Sequence, residues 1–315
     1  MTADTPTRPA PALAGLVAHW HNESELAELV SAWPTDPRFE LVIVDNASDR
    51  GLARGSARLL SPGRNLGFAG AINLALAESR APLVLLLNPD AAPEAGALDS
   101  LLEGFAAQPE AAGLAPALVG PDGRAQHDWQ LRSLPTPLGI VGALLLPERT
   151  RRDGEPRQGA LVEQPAAAAL ALRRDVLIGL GGLDESFYPA WFEDVDLAYR
   201  LRAAGHAIVY WPAARFRHGR GASLPKLGYG TFLWAYYRNM LRYLRKHHGA
   251  WWAAVGRCLL PAGLALRTLA LAFGKPERAR SRSEAARGLA GAALGAISNW
   301  RRPLSTARRV GGWSG

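Results

Sequence analysis

Apolar positions along the first ninety residues arrive in two alternating rhythms. Residues 13–18 form a short apolar run, and residues 23–32 follow with Leu26, Leu29 and Val30 at helical spacing, which predicts a strand and then a helix capped by Asn22. Residues 39–44 are apolar and β-branched and stop at the polar turn Asp45-Asn46-Ala47-Ser48-Asp49. Residues 57–60 predict a third short strand, 70–79 a helix, and 83–87 a strand that halts at Asn88-Pro89-Asp90. Strands alternating with helices predict an α/β, Rossmann-like fold, a mainly parallel sheet with helices on both faces. Functional groups then gather at the carboxyl ends of the strands, where both polar turns fall.

The rhythm weakens over 120–165, where one apolar stretch, 138–146, reads as part of a long functional connection and not as a core element. It returns with a strand over 166–173, the segment Gly181-Gly182-Leu183-Asp184-Glu185, a helix over 193–204 closed by Gly205, and a short strand at 208–211 that leads to His218. Beyond residue 225 the chain is helical and basic. On a helix over 231–248, Arg238, Arg242, Arg245 and Lys246 share one face, with Phe232, Tyr236, Met240 and Leu244 roughly opposite. Trp251-Trp252 opens an apolar stretch to residue 273, interrupted by Arg257, Pro261 and Arg267. It is expected to lie on a membrane and not to cross one. No repeat of 20–50 residues is present.

Composition sharpens this picture. With 315 residues and 48% hydrophobic content the chain can bury a large core, which excludes collagen-like, disordered and disulfide-scaffold classes. A lone cysteine, Cys258, points to a reducing compartment, and a polar, proline-rich start without a signal-peptide pattern points to the cytoplasm. The formal charge of +8 is unevenly spread: residues 226–315 hold 16 Lys/Arg against Glu277 and Glu284, a net +14, which leaves −6 for the rest. A mildly acidic body with a cationic tail suits docking on the inner face of an anionic membrane, and argues against a nucleic-acid partner. The expected organisation is a disordered tail over 1–12, a catalytic domain over 13–225, a helical basic region over 226–300 and a disordered tail over 301–315.

Several common sites are missing: there is no Gly-x-Gly-x-x-Gly after the first strand, no P-loop and no Gly-x-Ser-x-Gly elbow. Oxygen ligands on separate strand ends remain. Asn88 and Asp90 across a proline suit a hard divalent cation, Mg²⁺ or Mn²⁺, or else an Asx-Pro turn that caps a helix. Glu193, Asp194 and Asp196 follow an aromatic run; crowding and exclusion of water would raise a carboxyl pKa and make a general base, while the plainer reading is helix-dipole stabilisation. His218 is a metal ligand or a solvated loop histidine, with Arg220 and backbone amides nearby to meet phosphate. Asp45 either accepts the N3–H of a pyrimidine ring or forms a turn.

These features occur in an order that resembles glycosyltransferase family 2, in its bacterial rhamnosyltransferase-like branch. The likeness covers roughly residues 13–250 and rests on Val44-Asp45-Asn46-Ala47-Ser48-Asp49, Arg64-Asn65-Leu66-Gly67-Phe68-Ala69-Gly70-Ala71-Ile72-Asn73, Leu87-Asn88-Pro89-Asp90, Gly181-Gly182-Leu183-Asp184-Glu185 and Trp191-Phe192-Glu193-Asp194-Val195-Asp196-Leu197. The resemblance implies a GT-A nucleotide-sugar fold, with Trp20, Asp45, Asn46, Asn65, Gly67, Asn73 and Asn88 around the nucleotide and Asp90 and His218 on the metal. It implies Asp194 as the base, oriented by Glu193, and leaves Arg220 and Trp191 as phosphate or acceptor-loop candidates. Two departures stand out: Trp20-His21-Asn22 replaces the usual aromatic-Asn ending of the first strand, and Asn88 replaces the first Asp of the stricter metal motif.

The implied activity is inverting, metal-dependent transfer of a sugar, such as L-rhamnose, from a dTDP- or UDP-sugar to a cell-envelope glycan or polyprenyl-linked acceptor. A sugar-phosphate nucleotidyltransferase would need a glycine-rich basic loop after the first strand, which is missing. A non-enzymatic basic membrane- or nucleic-acid-binding module would leave the carboxylates unexplained.

Overall fold

The computed structural model describes residues 10–48, 55–145, 155–219, 227–271, 279 and 281–300. Arg220, Asp49 and nearly all of both expected tails lie outside them. Ten strands are described: β1 (Leu13–His19), β2 (Phe39–Asp45), β3 (Arg58–Leu60), β4 (Leu83–Leu87), β5 (Ala91–Pro93), β6 (Ala111–Val119), β7 (Leu131–Arg132), β8 (Gln164–Pro165), β9 (Ala169–Arg173) and β10 (Ala207–His218). Eight of them make one sheet in the order β3-β2-β1-β4-β9-β6-β10-β5, and β7 pairs with β8 separately. β1, β2, β3 and β4 are mutually parallel, β9 runs antiparallel to both β4 and β6, and β10 runs parallel to β6. Because β9 reverses the direction twice, β6 and β10 run the same way as β4. The carboxyl ends of six strands therefore share one edge.

Alternation along the strands splits the core in two. Leu13 and Val17 of β1, Leu41 and Ile43 of β2, and Leu85 and Leu87 of β4 meet α1 (Glu23–Ala32) and α3 (Ala97–Ala107) through Leu26, Leu29, Leu98, Leu101 and Phe105. Ala14, Leu16, Val42, Val44, Val84 and Leu86 point the other way, onto α2 (Gly67–Glu78), α6 (Arg174–Gly179) and α7 (Glu193–Ala203). The helices expected over 23–32, 70–79 and 193–204 are present, α2 starting three residues early at Gly67. Asn22 occupies the N-cap position of α1, but its side chain makes no capping bond and is buried instead.

The short strand expected at 208–211 is twelve residues long. Its register with β6 jumps between Trp211 and Arg215, a bulge that lets the second half also pair antiparallel with β5. The stretch read as a connection, 138–146, is largely helical: α5 (Pro137–Leu145) buries Ile140 and Leu144, and α4 (His127–Gln130) precedes it. The reason is distant in sequence. Ile140 and Leu144 join a third core with Phe187, Phe192 and Val195 and with three C-terminal helices, α8 (Tyr229–His248), α9 (Ala250–Ala270) and α10 (Arg282–Ile297).

Candidate active site

The bulge in β10 is what assembles the first station. It pairs His218 with Ala91, the residue after Asp90, and the amide of Gly219 donates to the Asp90 carbonyl at 3.0 Å. Nε2 of His218 faces Oδ1 of Asp90 at 3.6 Å, and both side chains are nearly buried. The amide of Gln126 donates to the His218 carbonyl at 3.1 Å, so its Oε1, 2.8 Å from Nδ1, is the atom that accepts. With Nδ1 bonded to Gln126, Nε2 is the ring nitrogen turned toward the Asp90 carboxylate. The Trp129 ring stacks on the imidazole at 5.2 Å and fixes its plane.

Two electron-rich atoms held face to face in this way fit a divalent cation. Among the described residues no group of three or more His, Cys, Asp or Glu could hold a metal. A cation here would therefore take two protein ligands and complete its shell with phosphate oxygens and water, as Mg²⁺ commonly does. Gln126 is expected to matter as much as a ligand's orienter usually does: Gln126→Leu should weaken Mn²⁺ affinity about 10- to 100-fold, read by calorimetry in the presence of nucleoside diphosphate.

The second station begins one strand away. The Asn88 amide donates to the carbonyl of Ala168 at 2.9 Å, and the amide of the preceding residue, Ala167, donates to the Asp194 carboxylate. Two adjacent alanines thus tie Asp194 to the strand end that carries Asp90. A second backbone donor, Val195, holds Asp194 Oδ1 at 2.8 Å, so backbone amides supply the orientation that was expected from Glu193. Burial raises the Asp194 carboxyl above its ordinary value against the opposing pull of Arg132. Glu193 is raised well above its own, first by burial and then by the charges of Asp194 and Asp196, and its Oε2 is buried with no hydrogen-bond partner among the described residues. Both carboxyls are thus raised, Glu193 further than Asp194, so Asp194 is the more readily ionised of the two.

Asp196 is different in kind. Burial opposes its ionisation, yet His247 at 2.7 Å, Lys246 at 2.5 Å and Arg200 at 2.8 Å together hold its pKa below the usual range. It joins α7 to α8 and is spent on structure.

The turn that delivers Glu193 and Asp194 is unusual. Trp191 and Phe192 both have φ near +74°, a left-handed conformation that bulky residues rarely adopt. Asn239, fully buried on α8, donates its amide to the carbonyls of Phe187 (2.7 Å), Ala190 (2.9 Å) and Trp191 (3.1 Å) and so holds the turn in place. Trp191, an acceptor-loop candidate, packs edge-on against Phe232.

The expected nucleotide residues line the same sheet edge with mixed duties. Asp45 accepts from the Ser48 amide at 3.0 Å, while Ser48 Oγ accepts from the His21 amide at 3.1 Å, so the ends of β1 and β2 are linked beside Trp20. Asn46 is buried and binds both sides of the α2 entry, donating to Gly67 O and accepting from Leu66 N. Asn65 accepts from the Gly67 amide. Gly67 has φ +72°, and a Cβ there would lie 2.8 Å from Pro189 O, so only glycine lets α2 start against the 188–192 turn. Asn73, expected at the nucleotide, instead exchanges bonds with Leu183 and Glu185. A Cβ on Gly182 would sit 2.5 Å from its oxygen.

The comparisons with known proteins agree with this layout. Residues 21–177 match the family model described as Glycosyl transferase family 2. An N-acetylglucosaminyl-diphospho-decaprenol L-rhamnosyltransferase of Mycobacterium tuberculosis is 30% identical over 288 residues, which span 83% of this chain and 92% of that protein. The chain belongs to glycosyl transferase family 2.

Within family 2 it also resembles a pre-mycofactocin glycosyltransferase of M. tuberculosis, 33% identical over 50% of this chain and 31% of that one. In three dimensions it resembles the mannosyltransferase PcManGT of Pyrobaculum calidifontis, solved with GDP-Man and Mn²⁺ (TM-score 0.51, 18% identity, 93% of this chain and 82% of that one). A second likeness is GalNAc-T7, solved with UDP, GalNAc and Mn²⁺ (TM-score 0.55, 16% identity, 88% and 54%). These likenesses establish the GT-A fold.

Three residues of this family 2 site were not singled out from the sequence: Gln126, Trp129 and Arg132. All lie in the weakly patterned region after β6, where polar residues gave no periodic signal. For Asn239 a signal existed, an amide on the otherwise apolar and aromatic side of an amphipathic helix.

Proposed function

We propose that the chain transfers L-rhamnose from dTDP-L-rhamnose, with inversion, to a sugar carried on a polyprenyl diphosphate at the cytoplasmic face of the membrane. The observation that carries this reading is the join between an ionisable half-buried base and a two-ligand cation seat through Ala167 and Ala168. The choice of donor and acceptor draws support from likeness to the mycobacterial rhamnosyltransferase over nearly its whole length.

Asp194 accepts the proton of an acceptor hydroxyl as that oxygen bonds to the anomeric carbon. The bond from that carbon to the diphosphate oxygen breaks in the same displacement, so the configuration inverts and dTDP departs. Asp90 and His218 would hold a divalent cation, Mg²⁺ or Mn²⁺, which when bound supplies positive charge for the leaving diphosphate. Asp45, beside Trp20 at the joined ends of β1 and β2, recognises the pyrimidine base. The test is product formation from N-acetylglucosaminyl-diphospho-prenol across a panel of nucleotide sugars, read by mass spectrometry. Transfer from dTDP-rhamnose alone is expected; transfer from none would overturn the reading.

Docking at the membrane is supported by the C-terminal helices, though not by the helix first expected to supply it. Much of the basic face of α8 is engaged within the protein: Arg238 donates to the Tyr188 carbonyl, and Lys246 binds Asp184 and Asp196, while Arg245 is exposed. By length and composition α9 could cross a membrane, since Pro261 does not break it, yet only 22% of its apolar window is buried within the protein. It is clamped lengthwise to α5, because a Cβ on Gly263 would collide with Leu144 O and Arg267 donates to Ala143 O at 2.5 Å. Trp251, Leu266 and Leu269 of α9, Leu294 and Ile297 of α10 and Leu138 of α5 are 51% to 74% exposed. A helix fixed in this way lies on a bilayer. The chain should float with anionic liposomes at low salt, and the double variant Trp251→Ser, Leu269→Ser should remain in the pellet.

A further inference from the structure

The row of cations along α8 is unevenly neutralised. Arg238, Arg242 and Lys246 follow one another at four-residue spacing and so line one side of the helix over about 12 Å. Lys246 meets two carboxylates, Asp184 at 2.7 Å and Asp196 at 2.5 Å. Burial works against ionisation of Asp184, but hydrogen bonds from Lys246 and Ser186 hold its carboxyl at about 2, so that acid is already engaged.

Toward Tyr188 the balance reverses. The Arg238 guanidinium lies over the Trp234 ring at 4.5 Å and donates to the Tyr188 carbonyl. Among the described residues neither Arg238 nor Arg242 has a carboxylate at ion-pair distance. Both are half-buried, and both are held below the usual arginine range, chiefly by burial; for Arg238, at about 10, the neighbouring charge of Arg242 adds to this. The exposed side chain of Arg64, just before the α2 entry, is a third positive charge close enough to act on Tyr188. The one carboxylate that acts on Arg242 is Asp184, which Lys246 already binds, and none acts on Arg238; half-buried positive charge so weakly balanced is costly, and an anion would relieve it.

Position narrows the choice of anion. Asp90 and His218 already account for the donor's diphosphate, and they sit on the ends of β4 and β10. Arg238 instead donates to Tyr188, where the turn toward Asp194 begins, with Arg64 close enough to act on Tyr188 and Arg242 one helical turn further along. The helix that carries Arg238 and Arg242 packs directly on α9 and α10, which carry the exposed apolar side chains. A charged headgroup on an apolar tail matches that juxtaposition.

We propose that Arg64, Arg238 and Arg242 bind the diphosphate of the lipid-linked acceptor, with the prenyl chain leaving along α9 and α10. This rests on the acceptor reading above. Arg242 is the residue to test, since Arg238 also packs on Trp234 and supports the turn.

The experiment compares Arg242→Gln and Arg64→Gln with the unaltered chain on two acceptors, N-acetylglucosaminyl-diphospho-farnesol and a neutral alkyl N-acetylglucosaminide, with thermal melting to confirm folding. The expected result is a KM for the diphosphate acceptor raised about tenfold or more, with KM for dTDP-rhamnose and for the neutral acceptor moved less than twofold. Inorganic pyrophosphate should compete with the diphosphate acceptor in the unaltered chain, and more weakly in Arg242→Gln. Equal KM changes for both acceptors, or a change that falls on the donor, would overturn the site while leaving the transferase reading intact. Failure of the unaltered chain to use either acceptor would overturn both.

Discussion

Asp194→Asn should slow transfer by about 100- to 10,000-fold, the usual contribution of a positioned general base, while nucleotide-sugar binding measured by calorimetry stays close to that of the unaltered chain. Asparagine preserves the shape and can still accept from the Val195 amide through Oδ1, so the loss reports proton transfer and not collapse of the turn. The pH profile supplies an independent check. Burial raises the Asp194 pKa, and the base works only when ionised, so kcat of the unaltered chain should climb with pH through an acidic limb lying above the ordinary aspartate value of 3.8. That limb should vanish in Asp194→Asn. A limb that persists unchanged would assign the base elsewhere.

Asp196→Ala should instead unfold the protein more readily, by about 3 to 5 kcal/mol in urea denaturation, because it leaves Arg200 and His247 beside a buried site that has lost its negative charge, and Lys246 with Asp184 alone. The sign of its pH dependence follows from the lowered pKa. The carboxylate stabilises the fold above the unfolded value near 3.9 and loses that contribution as pH falls through the lower folded value. The stability gap between the unaltered chain and the variant should be full at pH 7 and narrow in strong acid. Two aspartates two positions apart on one helix thus separate cleanly: one variant loses rate, the other loses stability.

The sequence spoke clearly where periodicity was local. β1, β2, β4, α1 and α7 follow from short apolar runs with sharp polar ends, and the polar ends carried the residues that meet at the sheet edge. What stayed hidden depends on partners far along the chain. The α5 segment looked like a loop because its apolar side is covered by α9, more than a hundred residues later. The cations of α8 looked like a membrane face because Asp184 and Asp196, which Lys246 engages, lie some fifty to sixty residues upstream. His218 could be suspected as a ligand, but the bulge in β10 that brings it against Asp90 has no signature in residue type. Asn73, which family likeness places at the nucleotide, also holds the turn at Gly182-Leu183, a duty that its motif does not announce.

Asn239 has a wider consequence for how such enzymes can be rebuilt. Its single amide crosses from the C-terminal annex to the backbone that leads to Asp194, the proposed base. The annex is thus no interchangeable module. A chimera that borrows it from a relative must borrow the aromatic loop at 187–192 in the same cut, and an enzyme shortened before residue 229 should bind its nucleotide yet be unable to fire.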